Sequence, residues 1–233
     1  MLEKVKGIVL SEKTRDQVEA MLAPAVEGWE QNDPHSPEYA NALVILGMIR
    51  QSRAGLDIYQ LRRDVEPVYR KALTIYNRSF ALADDEEMAL ALELQAGVLN
   101  LIGEVQDATP LHERAQAIRR TKVREMQEGA RRIPAAYKSG NGITKPVATY
   151  KVEPEYTGVA QFLGERGTVK LRCVVDESGM PQDISLLESL GFGLDENAVR
   201  ALRGWRFKPG EDAGGQIVPV IVDVDIDFHV PKA

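Results

Sequence analysis

Three aspartates stand at alternate positions near the end of the chain, Asp223, Asp225 and Asp227. On a strand, that spacing puts all three side chains on one face. A row of carboxylates is chemistry that a hard cation such as calcium uses, but calcium wants about six to eight oxygens wrapped around it. A flat row supplies ligands from one side only, so a solvated strand face is expected, whose charges also discourage unwanted edge pairing. The single cysteine, Cys173, excludes an intramolecular disulfide and a thiolate zinc cluster. It alternates with apolar residues and has no histidine near it in sequence, so a buried thiol is expected rather than a nucleophile. His35, His112 and His229 have no metal-ligand spacing. The run Asp84-Asp85-Glu86-Glu87 offers carboxylates, but reads as a solvated helix start with negative charge at the positive end of the dipole. Trp205 and Phe207 read as core. There is no phosphate loop, nucleophile elbow or zinc signature. Catalytic triads need not be local in sequence, yet no residue here asks for one. The expectation is a non-enzymatic protein with no cofactor and no metal.

Bulk properties narrow the partners. The 233 residues are 44% hydrophobic and 27% charged, which is apolar enough for a core and too apolar for a disordered chain. A net charge of −6 with mixed signs provides no basic face for phosphates, so nucleic acid is not an expected partner. Neither is there a polybasic membrane patch. The longest apolar stretches are strand-length, so no helical bilayer span is expected. The first ten residues, Met1 to Leu10, combine basic residues with an apolar patch too short for a signal-peptide core, and Glu3 interrupts the basic end. Two localisations stay open: cytoplasmic, or periplasmic with a signal or anchor absent from this chain.

The elements that must position these residues come in two kinds. Val18, Leu22, Ala25, Val26 and Trp29 recur at helical spacing, as do Tyr39, Leu43, Leu46 and Ile49. Further stripes are Val65, Val68, Tyr69, Ala72, Leu73 and Tyr76; Met88, Leu92, Ala96, Leu99 and Ile102; and Leu111, Ala115 and Ile118. Ser36-Pro37 and Thr109-Pro110 each place a capping hydroxyl before a proline at the first helical position. Turns are expected at residues 32–35 and 83–85. A small alanine recurs in Leu22-Ala23-Pro24-Ala25-Val26, Tyr69-Arg70-Lys71-Ala72-Leu73 and His112-Glu113-Arg114-Ala115-Gln116, at a spacing of roughly 45 residues against about 34 for a standard tetratricopeptide unit. Together with Leu46-Gly47, this resembles the tetratricopeptide helix-pair family over roughly residues 12–128, although a stretch near 54–64 does not fit. A plain helical bundle without repeat ancestry is the alternative. Residues 129–150, with Ser139-Gly140-Asn141-Gly142 at their centre, read as a flexible linker.

Beyond the linker the period becomes two. Val169, Leu171, Cys173 and Val175 alternate with polar or outward positions, Asp176-Glu177-Ser178-Gly179 supplies a turn, and Ile184, Leu186 and Leu187 lie in the returning strand. Asp195 is a candidate helix cap, and Leu194, Ala198, Ala201, Leu202 and Trp205 form the buried face of that helix. After a turn at Ala213-Gly214-Gly215, the last strand alternates through Val218, Val220, Val222, Val224, Ile226 and Phe228. The expected order is β-β-α-β, so the whole chain is α+β: an all-α domain at 1–128, a linker at 129–150 and a β-β-α-β domain at 151–233.

Short motifs in this last region occur in a definite order: Pro154-Glu155-Tyr156, Gly167-Thr168-Val169, Asp176-Glu177-Ser178-Gly179, Leu194-Asp195, Trp205-Arg206-Phe207-Lys208-Pro209, and Gly215-Gln216-Ile217-Val218-Pro219-Val220. Over about residues 151–230 they resemble the TonB C-terminal domain family. Thr157 stands where that family usually has proline, and Ser189-Leu190-Gly191 where it has Ser-Ser-Gly. The resemblance implies a periplasmic protein-binding module that adds an extended segment of an outer-membrane receptor as a strand at its sheet edge, linked to TonB-dependent transport. By family topology that edge is the last strand, which makes Ile217, Pro219, Ile221, Asp223, Asp225, Asp227 and His229 the expected partner-binding residues. A proline at Val222 is expected to remove one backbone donor from it. The chain shows no membrane-spanning anchor and no long proline-rich spacer, so the resemblance does not extend to coupling with an inner-membrane motor. A second protein partner at the helical domain and a homodimer through the sheet edge are further expectations. The competing reading is a tetratricopeptide scaffold whose helical groove binds the main partner while the edge only dimerises.

Overall fold

Residues 12–79, 86–127, 133 and 135–229 are described in the computed structural model. The first ten residues, the turn at 83–85 with Asp84 and Asp85, and, from the expected linker and last strand, residues 129–132, Pro134 and Val230 lie outside them. The chain divides into two compact units, one ending at Ile118 and the next beginning at Arg119.

The first unit is helical. Its elements are α1 (Glu12–Asn32), α2 (Pro37–Ala54), α3 (Ile58–Gln60), a π-helical turn (Leu61–Val65), α4 (Glu66–Ser79), α5 (Glu86–Leu101) and the start of α6 (Val105–Glu125). Ser36 caps α2 as its sequence suggests, accepting the Tyr39 N–H at 3.3 Å with Pro37 in the first turn. The α1 stripe of Val18, Leu22, Val26 and Trp29 packs on Ala42, Ile45 and Ile49 of α2. However, α2 is buried without interruption from Ala42 to Ile49, and α5 from Met88 to Ala96. Helices apolar all round sit inside a bundle, with neighbours on more than one side. At Gly47 α2 packs tightly on α4: a methyl there would overlap the buried Tyr69 ring, whose hydroxyl donates to Gln51 Oε1 at 2.8 Å.

The stretch 54–64, which fits no repeat, has a local cause. Gly55 (φ +55°) ends α2, and Asp57 Oδ1 accepts the N–H groups of Tyr59 and Gln60 at 3.0 and 3.1 Å to start α3. The expected cap at Thr109-Pro110 is corrected. α6 begins five residues before the expected first position, at Val105, Pro110 lies inside it, and the Thr109 hydroxyl donates to the Val105 carbonyl at 2.9 Å. Burial of Ala108 against Ala96, Leu99, Ile102 and Leu111 brings that turn into the helix, at the expense of the bond a residue other than proline would make from position 110 to the Gln106 carbonyl.

The second unit holds the last turns of α6, then β1 (Tyr137–Lys138), β2 (Val147–Tyr150), α7 (Gly158–Leu163), β3 (Gly167–Val175), β4 (Pro181–Glu188), α8 (Leu194–Gly204), β5 (Arg206–Lys208), β6 (Gly210–Glu211), β7 (Ile217–Val218) and β8 (Val220–Phe228). The main sheet has the order β1-β8-β3-β4. The α+β class and the β-β-α-β order stand. Alternation works as expected: Val169, Leu171, Cys173 and Val175 of β3, Ile184 and Leu186 of β4, and Val222, Val224, Ile226 and Phe228 of β8 face Leu194, Ala198, Val199 and Leu202 of α8.

Two local details differ from the sequence reading. Asp195 is fully buried but does not cap α8, whose N-cap is Gly193. It accepts from Ser189 Oγ at 2.6 Å and from the Leu190 N–H at 2.9 Å, holding the loop before the helix. The Gly-rich centre of the expected linker is a tight turn: Asn141 and Gly142 both have positive φ, and Gly140 and Ile143 exchange N–H···O bonds of 2.9 and 3.0 Å. That turn is tied down, since the Thr144 N–H donates to the Glu211 carbonyl at 2.8 Å and Thr144 Oγ1 accepts the Glu211 N–H at 2.7 Å. Residues 137–150 accordingly supply β1 and β2.

Candidate functional site

The last strand is paired along one side and only started on the other. β8 runs antiparallel to β3 over its whole length, from Val220 opposite Val175 to Phe228 opposite Gly167. On its outer side β1 pairs in parallel register, but only at Val220 and Ile221. The Tyr137 N–H donates to the Pro219 carbonyl at 2.9 Å, which fixes the parity of the edge. Peptide groups alternate in direction along a strand, so the odd residues from 219 onward direct N–H and C=O outward. The even ones serve β3. Beyond Ile221, the outward main-chain groups of Asp223, Asp225 and Asp227 meet no strand among the described residues. An edge of this kind is a template for another extended chain.

The structure therefore distributes the expected partner-binding residues unequally. Asp223, Asp225, Asp227 and His229 share the unpaired stretch, and all four are exposed. Pro219 and Ile221 lie alongside β1. Ile217 pairs with Glu211 in the small β6–β7 ladder. The expectation for Val222 is corrected: this residue lies opposite Cys173, with its main-chain groups directed at β3. Proline there would break the interior ladder rather than the edge. Side-chain alternation shows which face a residue occupies, and it took a hydrogen bond to show which side its N–H takes.

Sequence reasoning missed the cations beside this edge. Arg172, opposite Asp223 on β3, makes a two-pronged contact with it, Nε to Oδ1 at 2.7 Å and Nη2 to Oδ2 at 2.9 Å. That contact, with Lys145 adding to it, holds the Asp223 carboxyl below its usual range. Thr168 Oγ1 donates to Asp227 at 2.6 Å, and Lys170 Nζ bonds Glu188 at 2.7 Å while standing opposite Asp225. Where β1 leaves β8, a cleft of about 390 Å³ is lined by Lys138, Ser139, Lys145, Arg172, Ile221, Val222 and Asp223. The available signal was the run Thr168, Lys170 and Arg172 on the alternating outward positions of β3, which complements Asp227, Asp225 and Asp223.

Cys173 lies beneath this strand pair, fully buried. Burial, helped by the Asp223 charge, pushes its thiol up from 9.0 to about 12. Iodoacetamide at pH 8 should leave it unmodified in the folded chain and alkylate it fully in denaturant, read by mass spectrometry. Rapid labelling of the folded chain would contradict the burial. Because the folded chain holds this proton more tightly than the unfolded one, stability is lost as pH rises between those two values.

Among the described residues, no helix is long and apolar enough to cross a membrane. Residues 152–230 match the family model for the Gram-negative bacterial TonB protein C-terminal. The chain is 40% identical over 78 residues to the protein tonB2 of Pseudomonas aeruginosa, covering 33% of this chain and 28% of that one. It is 28% identical over 81 residues to TonB of Escherichia coli, covering 34% of each. With TonB of Salmonella typhimurium it shares 30% over 79 residues, 34% of this chain and 33% of the relative. The chain thus spans about a third of the length of the curated relatives it matches. Among solved structures, the solution structure of the Pseudomonas aeruginosa TonB C-terminal domain is matched at 30% identity, over 42% of this chain and 96% of that one, with a TM-score of 0.32.

Proposed function

We propose, from the TonB-type C-terminal domain at residues 152–230, that this chain is a periplasmic protein-interaction module. It binds an extended segment of an envelope protein, an outer-membrane receptor in TonB-dependent transport, by strand addition along β8. The observation that carries this reading is that, among the described residues, the outward side of β8 meets no strand from Asp223 onward, while its inner side pairs with β3 over its whole length. Main-chain bonds supply the attraction, and the solvent-facing side chains select the sequence.

Asp225→Pro tests it. This substitution removes an outward N–H while leaving the inward ladder to β3 intact. With Asp225 replaced by a photo-crosslinking residue, the chain should capture an envelope protein through a short extended segment, identified by mass spectrometry. Asp225→Pro should abolish binding of that segment with the circular dichroism spectrum unchanged. Binding that survives in the folded proline variant would sink strand addition at this edge.

A second reading concerns the helical unit, which we take as a tetratricopeptide-like scaffold for another protein partner. It is favoured by Leu56, Ile58 and Tyr59, three large apolar side chains exposed within four residues around the α2–α3 turn.

A further inference from the structure

The solvent face of the main sheet carries cross-strand rows of charge, and each row ends at the β8 edge on a carboxylate. In the first, Glu188 of β4, Lys170 of β3 and Asp225 of β8 stand side by side, negative, positive, negative. In the second, Arg172 stands beside Asp223. In the third, Thr168 stands beside Asp227. The charge is answered unevenly. Asp223 has both prongs of Arg172, with Lys145 adding to the field. Asp225 shares Lys170 with Glu188, to which the ammonium is bonded. Among the described residues, Asp227 receives only a neutral hydroxyl. Uncompensated negative charge therefore collects at Asp225 and Asp227, while the cleft at Lys138, Lys145 and Arg172 is positive.

A strand laid on this edge places alternate side chains directly opposite these aspartates, where opposite charges stabilise and like charges destabilise. A second copy of β8 laid antiparallel would set aspartate against aspartate, which disfavours self-pairing here. Resting on the strand-addition reading above, we propose that the segment recognised at this edge carries cationic residues, lysine or arginine, at two positions spaced i and i+2. These face Asp225 and Asp227, and a neutral or acidic residue faces Asp223 beside the cationic cleft. The unpaired main chain makes the site, and the carboxylates read which chain fills it.

The test uses the full chain and three synthetic fluorescein-labelled octapeptides. All are alternating Val/Thr sequences, with Lys, Thr or Glu at two positions spaced i and i+2, and binding is followed by fluorescence anisotropy at low and physiological salt. The Lys peptide should bind about tenfold more tightly than the Glu peptide, with the Thr peptide between them. The double variant Asp225→Asn/Asp227→Asn, which keeps size and strand propensity, should bring the three within about twofold of one another. Glu177→Lys, exposed in the β3–β4 turn at the Val175–Val220 end of the strand pair and so at the opposite end from Asp227, raises the net charge by as much as the Asn pair and should leave the order unchanged. A Thr peptide that binds as well as the Lys peptide, or an order indifferent to the Asn pair, overturns the charge rule. In either case, loss of all peptide binding in Asp225→Pro would still uphold strand addition. If Asp225→Pro binds the Lys peptide as the parent does, strand addition itself fails and the charge rule with it.

Discussion

Arg119→Met is expected to destabilise the C-terminal unit by about 3–5 kcal/mol in urea unfolding. Arg119 near the end of α6 and Glu196 at the start of α8 are each only 3% exposed, with Nη1 and Oε1 3.3 Å apart. Coulomb attraction and hydrogen bonding roughly offset the desolvation of two such charges. Removing one partner leaves the other charged and buried, and that is where the cost arises. Glu196 Oε2 already has no hydrogen-bond partner, so the carboxylate has little to fall back on. The double variant Arg119→Met/Glu196→Leu should recover most of the loss, because both charges go together. Trp205, in the core of this unit, reports the transition once Trp29 is replaced by phenylalanine. If the single and double variants prove equally destabilised, the pair is not electrostatically coupled and packing dominates.

Gly179→Ala should cost about 3 kcal/mol or more. The residue sits at φ +79°, where a side chain is strained, and a methyl there would overlap the Phe207 carbonyl oxygen. The Gly179 carbonyl also accepts the Phe207 N–H at 2.9 Å, so the β3–β4 turn cannot drift away from β5 without losing that bond. Asp176 organises the same turn. Burial raises its carboxyl, but donors from Ser178, Met180 and Gln182 outweigh this and hold it below its usual range. A variant within 1 kcal/mol of the parent by denaturant midpoint would show that the turn tolerates more displacement than this contact allows.

Much of this unit could be read from residue order. Strict alternation in β3 and β8 identified their buried faces, and the Asp176–Gly179 turn closed the hairpin between β3 and β4. What escaped the reading was long-range or very short. Arg119 and Glu196 lie 77 positions apart, and neither carries a local sign of its partner. β1 has two residues and β2 four, too few for a period to show. Gly140-Asn141-Gly142 has the composition of a flexible connector and of a tight turn alike, and only the bonds to Ile143 and Glu211 decide between them. In the helical unit, periodic stripes located α2 and α5 but understated their burial, because a stripe analysis assumes a wet side. At the candidate site, the acidic row of β8 was legible. Its cationic counterparts on β3 and around the cleft depended on a register that no single strand reveals.

The two residues of β1 set a limit on whatever joins this sheet. An edge of regular alternation has no intrinsic origin, and a strand sliding by two residues restores the same main-chain bonds. Here Tyr137 and Lys138 occupy the lane as far as Ile221, and the chain then turns away at Gly140. To a strand added as proposed above, they would be an end-stop. From Asp223 to His229 the lane left open among the described residues measures roughly 20 Å at strand spacing, so such a strand would be indexed from one fixed point. A segment of the right composition but the wrong length between its anchor and its charges would then meet Asp225 and Asp227 out of phase.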